Sequence, residues 1–327
     1  MATFKQMEEP NVLLRWAMYH FAGGDAFLFG LLGFAICQIA LLVARGPRLR
    51  RALILSMWLG LIWAIADPPP FNLPLMAAVV VLLVWWISRW RSRKSAEPAD
   101  ALSAARRERV FRVCMAGCAL MGILCELPYH WFSRPDCTVN TLCVVGDSIT
   151  AGLNDGEQTW PKCLSRQVGA RILDASQPGA TLKSARRQVE LLNEQPGDVL
   201  LLEIGGNDLL EGLPLAEFER DLDQLLAVSQ QPNREVVMLE LPLPPLAMRY
   251  VAIQRRLARQ YQVRLIPRRQ LLGVLTKQGS TVDGIHLTAT GQNRLADLVQ
   301  QLLKFPVEGP TSPDTYRHLE PKRKTSR

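Results

Sequence analysis

The sequence predicts an α/β protein: a parallel sheet covered by helices on both faces, preceded by a helical transmembrane region. Three observations lead there. Between residues 137 and 305, short apolar runs alternate with helical patterns, strand then helix, with short connections, the pattern of a parallel sheet in a layered domain. Glycine-rich and polar stretches follow the apolar runs at their carboxyl ends, where open α/β sheets place their chemistry. The first third of the chain instead holds long uncharged runs of bilayer-spanning length.

Residues 1–132 read as a membrane region with three to four transmembrane helices, at about 26–44, 52–66, 73–90 and 111–127. The first is almost wholly apolar. The second is shorter, bounded by arginines on one side and Asp67-Pro68-Pro69-Pro70 on the other. The third ends in Trp85, Trp86 and Trp90, which suit an interfacial belt. The fourth, centred on Val113–Leu127, is marginal in length. Successive apolar segments without a small-residue cleavage site disfavour a signal peptide.

Loop charge sets orientation. Arg45, Arg48, Arg50 and Arg51 follow the first run, and Arg89, Arg91, Arg93, Lys94, Arg106, Arg107 and Arg109 follow the third. The positive-inside rule puts both basic loops in the cytoplasm. Four spans then place the C-terminal domain outside the cytoplasm, and three would place it inside. Arg112 on one flank of the fourth run and Tyr129, His130, Trp131 and Phe132 on the other favour four. The spans carry almost no ionisable residues, which favours an anchor over a transporter or sensor.

The formal charge is +8. The excess lies in these loops and in the tail, because residues 137–305 carry equal numbers of basic and acidic groups. A nucleic-acid surface would need basic clustering there. Of seven cysteines, Cys37, Cys114, Cys118 and Cys125 fall in apolar runs. Cys143 falls in a core strand, and a Cys137–Cys163 pairing stays open because spacing alone cannot show it. No metal-ligand spacing, Walker loop or dinucleotide fingerprint occurs, and the chemistry below requires no metal or cofactor.

Within residues 137–305, strands are expected at 141–146, 170–174, 198–204, 235–241 and 263–267. Helices are expected at 160–168, 181–194, 215–230, 246–261 and 289–303. Residues 88–109 read as a polar linker, and 306–327, rich in Pro, Lys, Arg and Thr, as a disordered basic tail.

The polar signals sit at strand ends. Gly146-Asp147-Ser148 follows the first strand, and Gly146 allows a tight turn with room for a substrate to approach the backbone. Ser176-Gln177-Pro178-Gly179 follows the second, and Gly205-Gly206-Asn207-Asp208 the third. Asp283-Gly284-Ile285-His286 precedes the last helix. Serine, histidine and aspartate are the parts of a nucleophilic hydrolase. His286 is the only one of the four histidines inside the folded catalytic region, so it is the base available to Ser148. Asp283, three residues earlier, can reach the other ring nitrogen, although a bland turn role before Gly284 is also common. The candidate oxyanion donors are Ser148 N–H, Gly179 N–H and the Asn207 amide. Their bland readings are a chain turn after Pro178 and a helix cap. Asp147 reads as fixing the elbow, and Asp208 as structural.

With these four motifs in this order, the chain resembles the SGNH, or GDSL-like, hydrolases over essentially the whole of residues 137–305. Gly-Asp-Ser-Ile-Thr-Ala-Gly at 146–152, Trp160-Pro161 and Asp283-Gly-Ile-His-Leu look most like the bacterial acyl-thioesterase/lysophospholipase branch. The resemblance implies a three-layer α/β/α sandwich of about five parallel strands in flavodoxin-like order, and an esterase working through an acyl-enzyme. Lipid acyl esters are the expected substrates, with O-acetyl groups on envelope polysaccharide as the rival. A catalytically inactive, membrane-anchored binding module is the competing class. Leu153, Leu209, Leu210, Leu213, Leu243 and Leu246 are candidates for an acyl pocket, or ordinary packing.

Overall fold

The computed structural model describes residues 11–67, 73–94, 101–154, 156–244, 247–306 and 315–320. The described residues form two compact units. One spans His20–His130, and the other combines residues of Met1–Tyr19 with Trp131–Arg327. Pro68–Pro70, residues 95–100 of the expected linker, Leu246, and most of the expected tail lie outside the described residues.

Helix α1 covers Val12–Gly23. The helical unit is then built from α2 (Asp25–Val43), α3 (Pro47–Ala66), α4 (Leu73–Lys94) and α5 (Ala101–Glu126). The residues read as a linker are largely helical, because α4 runs to Lys94 and α5 starts at Ala101. Among the described residues, three helical stretches are long and apolar enough to cross a membrane: Asp25–Val43, Pro47–Ala66 and Leu102–Tyr129. The marginal fourth run is thus among the three, and the third run is the shorter apolar stretch Met76–Ser88.

Two glycines let α2 and α3 touch. A Cβ on Gly30 would lie 2.6 Å from the Gly60 carbonyl oxygen, and one on Gly60 would lie 2.7 Å from the Gly30 carbonyl oxygen. Small residues at such crossings let helix backbones pack closely in an apolar solvent. Phe27, Leu31, Phe34, Met57, Leu61 and Met115 fill the interior of this unit. The arginine at the flank of the fourth run turns inward. Arg112 is buried, donates to Gln38 Oε1 at 3.1 Å and pairs with Glu108, which also accepts from Trp85 Nε1 at 3.2 Å. A buried charge persists only with such partners.

The second unit holds a six-stranded sheet in the order β5-β4-β3-β1-β2-β6. The strands are β1 (Thr141–Gly146), β2 (Arg171–Asp174), β3 (Val199–Glu203), β4 (Glu235–Leu239), β5 (Arg264–Ile266) and β6 (Tyr316–His318). All pairings are parallel. Its helices are α6 (Ser148–Ala151), α7 (Trp160–Gln167), α8 (Leu182–Asn193), α9 (Gly206–Leu210), α10 (Leu215–Ser229), α11 (Met248–Gln260), α12 (Arg268–Leu275) and α13 (Ala289–Leu302).

Alternate residues of each central strand feed two cores, as the period of a strand requires. Cys143, Val145, Leu200 and Leu202 join one core with Val189, Phe218, Leu222 and Val251. Leu142, Val144, Val199 and Leu201 join the other with Leu164, Leu271, Leu295 and Val299. A sheet covered on both faces explains why these strands read as unbroken apolar runs.

The sheet has six strands rather than about five, and the sixth comes from the expected disordered tail. Tyr316, Arg317 and His318 pair with Ile172, Leu173 and Asp174. Three residues in a Pro- and Lys-rich stretch carry no strand pattern of their own. The neighbouring edge of β2 supplies the template.

Candidate active site

The motif loops gather at the carboxyl edge of the sheet, around the end of β1. Gly146 closes that strand and Ser148 opens α6, a single turn of helix. A Cβ on Gly146 would lie 2.5 Å from Thr150 Oγ1. The room this glycine provides is therefore filled by Thr150, not left for substrate. Gln188 holds the same residue in place, accepting from Gly146 N at 3.1 Å and donating to Gly146 O at 3.2 Å.

Ser148 Oγ lies 3.1 Å from His286 Nε2, and His286 Nδ1 lies 2.6 Å from Asp283 Oδ2. The second aspartate oxygen accepts from Ile285 N at 3.0 Å and His286 N at 2.8 Å. One carboxylate thus shapes the tight loop and orients the ring on it. Partial burial alone would raise the Asp283 pKa. The hydrogen bonds from the His286 side chain and from the His286 and Ile285 backbone outweigh that and hold it below its ordinary value.

The expected oxyanion donors come from three loops. Ser148 N is on the first turn of α6. Gly179 is at φ +72°, in the loop after β2. Asn207 is in α9, after β3. Its Nδ2 donates to Ala180 O at 2.9 Å and, more weakly, to Asp147 Oδ2 at 3.4 Å. The first bond ties the asparagine to the Gly179 loop. Asp208 accepts from Leu182 N at 3.0 Å and so fixes the start of α8 to the β3 loop. It acts on a neighbouring helix rather than on its own.

Asp147 caps α6, accepting from Ile149 N at 2.9 Å. Beneath it lies a group that the motifs do not reveal. Glu203, the last residue of β3, is buried, accepts from Thr150 Oγ1 at 2.9 Å and faces Asp147. Trp160 Nε1 in turn donates to Thr150 Oγ1 at 3.1 Å. Burial, and then the Asp147 charge, push the Glu203 carboxyl well above its ordinary pKa. Asp147 is raised too, chiefly by burial. Burial and the neighbouring Asp147 charge thus favour the protonated form of Glu203. The sequence signal for Glu203 was one acidic residue ending an otherwise apolar strand.

A serine hydrogen-bonded to a histidine that is itself bonded to an aspartate is the constellation of a nucleophilic hydrolase. Residues 144–294 match the GDSL-like lipase/acylhydrolase family. Esterase TesA of Pseudomonas aeruginosa is 33% identical over 177 residues, covering 50% of this chain and 88% of that protein. The chain belongs to the GDSL-like lipase/acylhydrolase, or SGNH, family. The thioesterase 1/protease 1/lysophospholipase L1 of Escherichia coli K12 is 31% identical over 175 residues, 50% of this chain and 84% of that protein. The crystal structure of TesA superposes with a TM-score of 0.43 at 32% identity, covering 50% of this chain and 97% of that chain. The second unit of this SGNH protein is thus a carboxylic ester hydrolase domain.

Of the leucines considered for an acyl pocket, Leu243 is buried, and Leu209 and Leu213 pack against the core beside α10. Leu153 and Leu210 stand exposed. Cys137 and Cys163 are both free thiols, so the open pairing between them is not made.

Proposed function

We propose that this SGNH protein is a membrane-anchored serine esterase that cleaves lipid-type acyl esters through an acyl-enzyme. The hydrogen-bonded chain Ser148–His286–Asp283 carries the proposal. Ser148 Oγ attacks the acyl carbonyl carbon and passes its proton to His286 Nε2. Asp283 holds the ring with Nδ1–H directed at itself and stabilises the imidazolium that forms. Ser148 N–H, Gly179 N–H and Asn207 Nδ2 receive the oxyanion. His286 then returns the proton to the departing oxygen or sulfur, leaving the acyl group on Ser148. Water attacks this ester by the same steps in reverse roles and frees the acid.

A long acyl group is favoured by the surface around the site. Among the described residues from Trp131 onward, the exposed large apolar side chains are Trp131, Leu153, Leu210, Val282 and Ile285. The last four lie within five residues of Ser148, Asn207 or His286 in the chain, Leu210 at the end of α9 and the other three in loops. Apolar exposure confined to one edge marks a surface for an apolar ligand. The name of the Escherichia coli relative, thioesterase 1/protease 1/lysophospholipase L1, points to the same kind of substrate.

Anchoring follows from the helical unit. With Asp25–Val43, Pro47–Ala66, Leu102–Tyr129 and the shorter Met76–Ser88 as four spans, the arginine-rich loops lie inside and the hydrolase faces out of the cytoplasm. The rival substrate, an acetyl ester of envelope polysaccharide, uses identical chemistry. A panel of p-nitrophenyl esters from acetyl to palmitoyl separates them. Specificity rising from acetyl toward longer chains supports the lipid reading, and strong acetyl preference overturns it.

A further inference from the structure

A polar cleft of about 600 Å³ opens beside the serine turn. Its walls include the loop after α6, the loop after β2, Lys162 of α7, and Tyr316, His318 and Glu320 of the C-terminal segment. That segment lies beyond residues 144–294, the part that matches the family. In the sheet, β3 with Asn207 and Leu210 lies on one side of β1, and β2 with β6 lies on the other. The exposed Leu210 and the polar cleft therefore flank Ser148 from opposite sides. An ester bound across Ser148 must send its acyl group one way and its leaving group the other.

We propose that residues 316–320, with Lys162 and the β2 loop, form a leaving-group subsite that takes a phosphate-bearing polar group. The inference rests on Ser148 being the nucleophile. Asp174 is the buried base of the cleft, and its charge is already committed. Oδ1 accepts from Ser176 N at 2.9 Å and Ser176 Oγ at 2.6 Å, and Oδ2 accepts from Tyr316 OH at 3.0 Å. His318 Nδ1 lies 3.7 Å from the same Oδ2. That aspartate keeps His318 protonated more readily than a free histidine, against the opposing effect of burial and of Lys162. With Nδ1 turned to Asp174, the exposed ring has Nε2–H to offer.

Lys162 Nζ donates to Glu157 O at 2.8 Å and sits 5.9 Å from the centre of the Tyr316 ring. An ammonium has three donors, so others remain for a ligand. The Glu157 carboxylate is turned to the loop after α6, accepting from Leu153 N at 2.9 Å, and is not itself part of the cleft wall. Glu320 is the other acid lining the cleft, and its charge adds to the negative field at His318. Charge-assisted bonds to phosphate are the strong class of hydrogen bond, and the Tyr316 ring supplies a wall for the carbon skeleton.

The test compares two esters of one short acyl chain on the full protein in detergent, acyl-glycerol 3-phosphate and acyl-glycerol. The expected kcat/KM ratio favours the phosphate ester by roughly tenfold or more, as one or two charge-assisted hydrogen bonds imply. Lys162→Ala and His318→Ala should each bring that ratio toward one. A ratio is insensitive to the fraction of protein that is folded. No preference in the wild type, or a preference unchanged in both variants, overturns the subsite. Binding of glycerol 3-phosphate, but not glycerol, to Ser148→Ala reads the subsite without catalysis, and equal binding of the two overturns phosphate recognition. Inorganic phosphate serves as a third ligand. If it binds as tightly as glycerol 3-phosphate, the cleft recognises free phosphate rather than a leaving group. Ester hydrolysis that survives Ser148→Ala instead overturns the esterase reading.

Discussion

The two units of this protein sort their side chains in opposite senses. In the hydrolase unit apolar side chains go inward, into two cores on the two faces of a sheet, and apolar exposure is concentrated at the catalytic edge. In the helical unit large apolar side chains also point outward along whole helices. Phe29, Leu32, Ile36 and Ile39 on α2, and Leu55, Leu59, Ile62 and Ile65 on α3, are exposed. Polar pairs such as Arg112 with Gln38 and Glu108 lie inside. Outward apolar stripes of this length have no place against water and suit hydrocarbon. Each unit is marked by what breaks the ordinary pattern: polar groups at one sheet edge in the first, an apolar exterior in the second.

Replacing the reacting groups should test the contrast hardest. Ser148→Ala and His286→Ala should each lower kcat about ten-thousandfold or more, with melting unchanged, because nucleophile and base act as a unit. Asp283→Ala should cost less, since it removes orientation rather than a reacting group. Steady-state ester hydrolysis checks all three. Asn207→Ala comes next, with a loss of roughly 100- to 1,000-fold in turnover, the usual cost of one oxyanion donor. Near-wild-type turnover would remove Asn207 from the hole.

The helical unit should respond only to packing. Gly30→Val places atoms where α3 backbone already lies. It should destabilise this unit by about 1–3 kcal/mol, the range for overpacking. Thermal melts in detergent would show it, with kcat per folded molecule retained. The smallest effect concerns Glu203. Its pKa is raised in the folded state, so its contribution to stability is complete below the ordinary glutamate range and is lost as pH rises through the raised value. Denaturant titrations should show stability falling by up to about 1.4 kcal/mol per pH unit in that window. Glu203→Gln, which copies the protonated form, should flatten that fall.

What the sequence revealed follows the same division. Ser148, Asp283 and His286 were legible because a hydrolase needs those residue types at the ends of apolar runs, and the runs were unambiguous in a doubly covered sheet. Short elements were not. Helices α6 and α9 are single turns, too brief for any periodicity, and α12 begins one residue after β5, at Arg268, in a basic stretch. Strand β6 forms only because β2 offers an unpaired edge, so its local composition misled. The Glu203–Asp147 pair was hidden for another reason: nothing in sequence tells a buried carboxyl from an exposed one. In the helical region, Gln38 and Trp85 are far in the chain from Arg112 and Glu108 and meet them only through helix packing, whereas Glu108 and Arg112 stand one turn apart on α5.

The central claim is that Ser148 is an activated nucleophile on the outer side of a membrane. A membrane-impermeant fluorophosphonate probe, applied to intact cells and followed by peptide mass spectrometry, tests it most directly. The account predicts one adduct, on Ser148, that disappears in His286→Ala. Labelling only after the cells are opened would contradict the outward orientation, and folded protein that never labels at Ser148 would contradict the esterase itself.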